Sequence, residues 1–540
     1  MNHTSSGAGN QVSELEKVRL VADRIREFCN HKALWHRRLW NVGTVLCLRE
    51  VVEYAESCID GRSPNTEGLR YVIEAGRREV KRDPGVAHLA AQVERSFVEL
   101  DKKSTKEVKP APAQRLRELV RRAESEYCAA WSGTQRRPAV EFMSRAVAAH
   151  LLDSGLSADH LHRWLRRRAA EFKSVAELLQ AVEEMSVEMP ERRFDVFVPS
   201  SAPFRKPQTS ASHVTWLDSS RAAEWLQNQI PYQERRRHNG GFVVSVTTRD
   251  PWSAVAAARA TVARAASRAR VARMHGQDVK VEGWACVAGS RQEFGMRPLY
   301  RPLEIGSLDR QDAVYRFDGA IAPEVDDALE LASYMASPGS GAAITGGWSA
   351  VESLLLRPGE SGRYRAADRM ASLVACSLPR AEMTTLAYRH IESTEDDLAR
   401  ELDGVSTNFA KVQIVEKHLR SGRRLVLEHH ADVAAQERIL AIIRDPAAQL
   451  GKLRRFVAES LRRLYNQRNI VAHSGSFRSA ALEATTRTAF SLVGAGLDRV
   501  VHEQLSRGET ATPLQLVARA ENELNLAGSA GGRPLSSLLE

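Results

Sequence analysis

Residues 452–475 read KLRRFVAESLRRLYNQRNIVAHSG, a stretch that predicts an amphipathic helix with a polar end. Its apolar side chains recur every three or four residues, which places them on one helix face: Leu453, Phe456, Val457, Leu461, Leu464 and Tyr465. Arg468 continues this face. Burying a guanidinium costs free energy unless an anion pairs with it. We therefore expect either a carboxylate from another helix or a bound phosphate beside Arg468.

His473 follows Arg468 by five residues and lies near the predicted helix end or in the following turn. Imidazole titrates near neutral pH and can accept or donate a proton, whereas guanidinium offers a planar fork to phosphate oxygens. Cleavage of RNA through its own 2′-hydroxyl requires a base, an acid for the leaving 5′ oxygen and positive charge at the phosphorane. The pair therefore predicts metal-independent RNA cleavage.

The spacing of this pair is not specific by itself. Three other pairs share it: Arg145 with His150, Arg270 with His275, and Arg424 with His429. Only Arg468 is followed directly by an asparagine, Asn469. The competing interpretation of Arg468 and His473 is structural, because basic residues near a helix C-terminus often cap carbonyl groups or pair with a buried carboxylate.

The stretch LYNQRNIVAHSG at 464–475 resembles the Rx4-6H motif of the HEPN domains, and within them the ApeA-like group of bacterial anti-phage proteins. The upstream stretch WSAVESLL at 348–355 is similar to the helix that precedes this motif in the family. The resemblance covers about 200 residues of the C-terminal region and leaves the first 310 residues outside it.

The resemblance implies a helical bundle with a metal-independent endoribonuclease site and no cofactor. It implies that Arg468 and His473 are catalytic, that Asn469 supports the site, and that Glu352 orients one of the pair. A buried structural ion pair is the alternative for Glu352. The family usually places two copies of the motif across a dimer interface, so a homodimer or higher homo-oligomer is implied. The implied function is anti-phage defence by cleavage of RNA, with tRNA as one candidate substrate and a phage-derived trigger.

Two alternatives stay open. The chain is a non-catalytic binding or sensor protein that keeps the helical bundle only as a scaffold, or the segment around 190–305 carries the principal ligand site. Loss of activity in Arg468 and His473 variants that still fold would separate the first alternative from catalysis. A nucleotide or peptide bound to the central segment would favour the second.

The composition predicts a multidomain globular protein. With 540 residues, 43% apolar and 27% charged, the chain can form two to four cores. The net charge of +10 makes RNA, DNA or an acidic surface a plausible partner. The basic runs at 166–168 and 235–237 are more typical of solvated faces than of a binding site for such a partner.

The cysteines and the N-terminus predict a cytosolic protein that does not cross a membrane. No CxxC spacing occurs among the six cysteines, which argues against disulfides and a thiolate zinc site: Cys29, Cys47, Cys58, Cys128, Cys286 and Cys376. The first residues lack a basic segment followed by an apolar core. No apolar stretch approaches the length of about 18 residues that a membrane span needs.

The pattern along the chain predicts a mainly α fold with a small central α/β domain. The expected parts are a flexible tail at 1–11, an N-terminal helical region at 12–189, the α/β domain at 190–311, a HEPN-like helical bundle at 312–527 and a tail at 528–540. Strands are predicted at 193–199, 240–248 and 280–288, with a helix between the last two that starts at Asp250 and Pro251.

Two further predictions concern glycines and tryptophans. The glycines at 339, 341, 346 and 347 predict a loop before the helix that carries Trp348 and Glu352. Buried anchors between helices are more common than stacking platforms for nucleic acid. We therefore assign to the core the four tryptophans of the N-terminal region: Trp35, Trp40, Trp131 and Trp164.

Overall fold

The computed structural model describes most of the chain, namely residues 13–61, 66–101, 108–132, 139–202, 213–230, 237–272, 279–296, 303–337, 339–360, 362, 364–474, 479–506 and 511–540. The side chains of residues 66, 67, 132, 473 and 474 also lie outside this description. The predicted tail at 1–11 falls outside it as well. Within the described ranges the fold is mainly α-helical with one small sheet, which confirms the predicted fold class.

The N-terminal region contains helices α1 (Glu14–Phe28), α2 (Thr44–Ile59), α3 (Thr66–Val80), α4 (Ala90–Leu100), α5 (Pro110–Ser132), α6 (Val140–Asp153), α7 (Ala158–Arg168) and α8 (Val175–Glu188). Short 3-10 turns lie at Trp35–Arg37 and Pro84–Leu89. The apolar faces of these helices share one core. Trp131 is buried in that core and Trp164 packs against it, whereas Trp40 is buried in the C-terminal core with Trp35 packed beside it.

The central region contains β1 (Arg192–Pro199), β2 (Val214–Leu217), α9 (Ser219–Gln229), β3 (Gly241–Thr248), α10 (Pro251–Val271), β4 (Trp284–Val287) and β5 (Glu293–Gly295). The strands form an antiparallel sheet in the order β2-β3-β1-β4-β5. The three predicted strands and the predicted helix are confirmed as β1, β3, β4 and α10. Strands β2 and β5 and helix α9 were not predicted, since each is short and lacks a clear apolar period.

The side chains of β1 point alternately to the two faces of the sheet. Phe194 and Val196 point to the side where α10 packs, and Phe197 points to the side of α9. β1 pairs along its whole length with β3, from Arg192 opposite Thr248 to Pro199 opposite Gly241. A Cβ on Gly241 would lie 2.6 Å from the Phe197 ring, so a glycine at the first position of β3 allows close packing.

The C-terminal region contains α11 (Gly306–Arg310), α12 (Pro323–Ser333), α13 (Ser340–Leu355), α14 (Arg365–Ser393), α15 (Asp397–Asp403), α16 (Asn408–Arg420), α17 (His430–Arg444), α18 (Pro446–Ser474), α19 (Leu482–Ser506) and α20 (Pro513–Leu526). Short 3-10 turns lie at Tyr334–Ala336 and Leu535–Ser537. The 29-residue helix α14 lies in the centre of this bundle and packs against α18, α19 and α20.

The predicted glycine loop at 339–347 is wrong, because these residues form the first part of α13. A Cβ on Gly346 would lie 2.6 Å from the carbonyl oxygen of Leu331, and one on Gly347 would lie 3.0 Å from Met335 Sδ. The glycines therefore allow the preceding chain to cross the helix closely. Glycine weakens an isolated helix, but tertiary packing offsets that cost here.

Two predicted boundaries in the C-terminal region also differ from the structure. Residues 303–311 were assigned to the α/β domain, but Ser307 donates its backbone N–H to Asp498 of α19 at 2.7 Å and Leu308 packs on the bundle core. Residues 528–540 were predicted to be a tail. Leu538 and Leu539 are instead buried in the bundle, where apolar burial outweighs the absence of regular secondary structure.

A buried ion network joins the N-terminal region to the C-terminal bundle. Arg37 donates to Glu382 of α14 at 2.7 Å and to Asp432 of α17. Arg438 of α17 donates to the second oxygen of Glu382 at 2.9 Å. Burial disfavours the charge on Glu382, but Arg438 and then His36 and Arg37 lower the pKa of Glu382 well below its usual range. The two regions are thus coupled through charges that are paired in the folded chain.

Within the described ranges, no helix combines enough length with enough apolar character to cross a lipid bilayer.

Glu79 of α3 makes the stability of the contact between the N-terminal region and the C-terminal bundle depend on pH. Burial, and next the negative charge of Glu459 on α18, raise the pKa of Glu79 from its usual 4.5 to about 7. A raised carboxyl pKa means that the folded chain binds this proton more tightly than the unfolded chain. The resulting stability is present below about pH 4.5 and is lost as the pH rises through about 7.

We expect Glu79→Gln to be more stable than the wild type at pH 8 by about 3 kcal/mol, because glutamine is neutral at every pH. The difference should vanish near pH 4.5. Urea unfolding at both pH values measures it, with Glu74→Gln on the exposed face of α3 as the matched control. An equal gap between wild type and Glu79→Gln at both pH values would contradict the prediction.

Candidate functional site

Helix α18 positions the candidate site by running unbroken through the whole motif. It starts at Pro446, where the Asp445 side chain accepts from the backbone N–H of Ala448 at 3.2 Å, and it ends at Ser474. An acidic cap followed by proline is the same start signal that begins α10. Arg468 and residue 473 are therefore on one helix, with residue 473 in its last turn.

Arg468 meets a carboxylate from another helix, as the sequence predicted. Its Nη2 donates to Glu352 Oε2 of α13 at 3.2 Å, and its Nη1 donates to Asn469 Oδ1 at 3.0 Å. These bonds occupy two of the five N–H donors of the guanidinium. The other donors have no partner in the part of the chain that the structure describes. The arrangement can thus hold the guanidinium in place and still present N–H groups to an anion.

The pair lies at the surface of the bundle. Each side chain is partly accessible, 28% for Arg468 and 37% for Glu352. An ion pair with this exposure contributes roughly 0–1 kcal/mol to folding. The fold therefore does not depend on the pair, and a charged substrate can reach it. Two surface depressions lie elsewhere, on α5 and on α20, and neither Arg468 nor Glu352 lines them.

Aromatic side chains pack beneath the pair. The Trp348 ring is fully buried and lies 4.9 Å from the Tyr465 ring, and Tyr465 meets Tyr364 edge to face at 5.4 Å. The Tyr364 hydroxyl donates to Asn466 Oδ1 at 3.2 Å. Burial and then neighbouring tyrosines raise the pKa of Tyr364, so its hydroxyl is protonated at neutral pH. Tyr465 is thus a packing residue, as predicted, and it fixes the helix one turn before Arg468.

A residue of the N-terminal region extends this aromatic cluster. Tyr71 of α3 lies 4.8 Å from the Tyr364 ring, and the Arg462 guanidinium lies over both rings at 5.3 and 5.4 Å. Arg462 also donates to Asp368 of α14 at 2.9 Å. The sequence analysis missed Tyr71, Tyr364 and Arg462. No local pattern links them, because they meet across almost 400 residues of chain.

The structure brings together three of the four predicted site residues: Glu352, Arg468 and Asn469. The fourth, His473, has a described backbone in the last turn of α18, and its side chain lies outside the described residues. Gln467 precedes Arg468 on α18. It is buried, and its Oε1 has no hydrogen-bond partner among the described residues.

No match to this chain was found in a scan of protein-family models, in a search of curated proteins or in a search of solved structures.

Proposed function

We propose that this chain is a HEPN-type, metal-independent endoribonuclease of bacterial anti-phage defence that acts in the cytoplasm. The observation that carries the proposal is the guanidinium of Arg468, which is held by Glu352 and Asn469 at the bundle surface and has further N–H donors without a partner among the described residues. Its place five residues before His473 on one helix matches the motif that the sequence resembles. The substrate is RNA, with tRNA as one candidate.

Each residue has a distinct role in this mechanism. The imidazole of His473 accepts the proton of the attacking 2′-hydroxyl or donates one to the leaving 5′ oxygen. Arg468 donates to the phosphate oxygens and stabilises the charge that builds up on the phosphorane. Glu352 and Asn469 are positioning residues that fix the guanidinium. The products are a 2′,3′-cyclic phosphate and a 5′-hydroxyl.

The geometry of α18 favours a site shared by two copies of the chain. Positions five residues apart on an α-helix are separated by about 7.5 Å along the axis and about 140° around it. The backbone positions of Arg468 and His473 therefore face different directions on one helix. A homodimer in which Arg468 of one copy faces His473 of the other would bring the two onto one phosphate.

Mixing two inactive variants tests both the chemistry and the pairing. We expect the wild type to cleave single-stranded RNA to the cyclic phosphate, and His473→Ala and Arg468→Ala to be inert but folded. A mixture of the two variants should regain activity, because a mixed dimer contains one intact site. RNA with 2′-deoxy sugars should resist cleavage.

Two outcomes would overturn parts of this proposal. If both variants cleave RNA at the rate of the wild type, the catalytic assignment fails. If none of the three proteins cleaves any RNA, with or without extract from phage-infected cells, the non-catalytic scaffold is the better explanation. Failure of the mixture alone would reject the shared site and leave a site within one copy.

A further inference from the structure

Hydrogen bonds between the capping residues join the starts of helices α7 and α10. Ser157, which caps α7, donates its backbone N–H and its hydroxyl to the two oxygens of Asp250, each at 2.8 Å. Asp250 in turn caps α10 by accepting from the backbone N–H of Trp252 and Ser253. Because the two caps are bonded to each other, the first turns of the two helices are held side by side.

The outer faces of both helices are basic. α10 contains no acidic residue over its 21 residues, and the acidic residue of α7, Asp159, lies 3.1 Å from His31. Arginines without an ion pair among the described residues form what we call the basic surface: Arg163, Arg166 and Arg167 on α7, and Arg264, Arg268 and Arg270 on α10.

Other acidic groups nearby are already engaged. Glu171 pairs with Arg168 at 2.9 Å, and Asp250 is fully buried in the cap contacts. Glu483 lies close enough to Arg259 of α10 to influence it electrostatically. The positive charge of the basic surface is therefore not cancelled locally. A net positive face of this kind attracts a polyanion.

An aromatic ring lies within this surface. Trp252, in the first turn of α10, is half-buried, and the Arg163 guanidinium lies over its ring at 5.3 Å. His160 of α7 approaches the same ring at 5.8 Å. Cations combined with an aromatic ring are typical of sites for single-stranded nucleic acid, which they bind through phosphates and stacked bases.

The basic surface is connected to the end of the motif helix. Arg259 of α10 acts on Glu483 in the first turn of α19. Arg487 of α19 pairs at 2.6 Å with Asp153, four residues before the cap of α7. α19 is the helix that follows residue 473 along the chain. A strand on the basic surface would therefore lie near the first turns of α19.

We propose that the basic surface binds the sugar-phosphate backbone of single-stranded RNA and guides it to the site at Arg468. The choice of RNA rests on the proposed function, whereas the surface itself rests on the unpaired arginines and Trp252. The 310 residues outside the HEPN resemblance then include a substrate-binding element. Arg166 and Arg167 are also typical of a solvated face. In this proposal they contribute to RNA binding through their positive charge.

Binding is measured on the full chain with His473→Ala, which prevents cleavage. The probe is a fluorescently labelled single-stranded RNA of about 20 nucleotides, followed by anisotropy at several salt concentrations. The test variant carries Arg166→Gln, Arg167→Gln and Arg264→Gln. The control carries Arg95→Gln, Arg423→Gln and Arg444→Gln, which removes the same charge from exposed positions elsewhere that form no ion pair among the described residues.

We expect the test variant to bind the RNA at least about 10-fold more weakly than its parent near 100 mM salt. Each phosphate contact adds about 0.7 to the magnitude of the slope of log K against log salt, so loss of the three arginines should lower that magnitude by about 2. The control should bind like its parent. Equal loss in both variants, or none in either, would overturn the proposal. So would binding to anionic phospholipid vesicles in place of RNA. RNA binding that is lost only in the test variant, without cleavage by the wild type, would support the basic surface and reject the nuclease.

Discussion

Arg468→Lys is expected to lower the rate of RNA cleavage at least about 100-fold, although it keeps the positive charge. The guanidinium holds Glu352 and Asn469 through two N–H groups and still has donors for the phosphate. An ammonium group has a shorter reach and no planar fork, so it cannot bind both sides at once. The rate is measured under single-turnover conditions with a labelled RNA.

The matched control for this variant is Arg455→Lys on the same helix. Arg455 is exposed and forms no ion pair among the described residues, so its replacement should leave the rate unchanged. Both variants should unfold within about 1 kcal/mol of the wild type, because the Arg468 pair is partly exposed. A rate within about threefold of the wild type for Arg468→Lys would show that charge alone suffices and that the fork geometry is irrelevant.

Glu382→Ala is expected to reduce the free energy of unfolding by about 3–5 kcal/mol. Glu382 is fully buried and accepts from Arg37 at 2.7 Å and from Arg438 at 2.9 Å. Removal of the carboxylate leaves two cations close together without their shared partner. The loss of stability is larger than for a surface ion pair, because water cannot reach a buried charge that has lost its partner.

Urea unfolding at neutral pH measures this loss. Glu401→Ala is the control, since Glu401 is exposed and forms no ion pair in the described part of the chain; it should change the free energy by less than about 0.5 kcal/mol. A loss below about 1 kcal/mol for Glu382→Ala would mean that the network does not hold the N-terminal region to the bundle. The rate of RNA cleavage by the Glu382→Ala protein that remains folded shows whether the contact of the N-terminal region with the bundle is needed for activity.

Local sequence signals predicted the features that depend on neighbouring residues. The helix start at Asp250 and Pro251 follows from side-chain capping and a preset proline angle, and both act within one turn. Strands β1 and β3 follow from β-branched and aromatic residues at their positions. The pairing of Arg468 with a carboxylate was predicted because an arginine in line with an apolar stripe needs an anion, and the resemblance indicated Glu352 as a candidate.

Other features could not be predicted because their causes lie far away in sequence. The glycines of α13 indicated a loop, but the close crossing of residues 331–335 makes them part of a helix. The C-terminal residues looked like a tail, but Glu416 of α16 accepts from the backbone N–H of Leu535 and Ser536 at 3.0 and 2.8 Å. The neighbouring sequence shows no pattern that predicts these contacts.

By itself, the sequence determined that the chain is mainly helical, where α10 begins, and that an anion is expected beside Arg468. These properties follow from capping, periodicity and the cost of burying charge, all of which act over a few residues. Only the tertiary structure decided that Tyr71 of the N-terminal region joins the cluster beside α18, that Glu382 anchors two regions, and that Ser157 and Asp250 join the starts of α7 and α10. Those properties depend on which helices pack together, and that is the sum of many weak contacts over hundreds of residues.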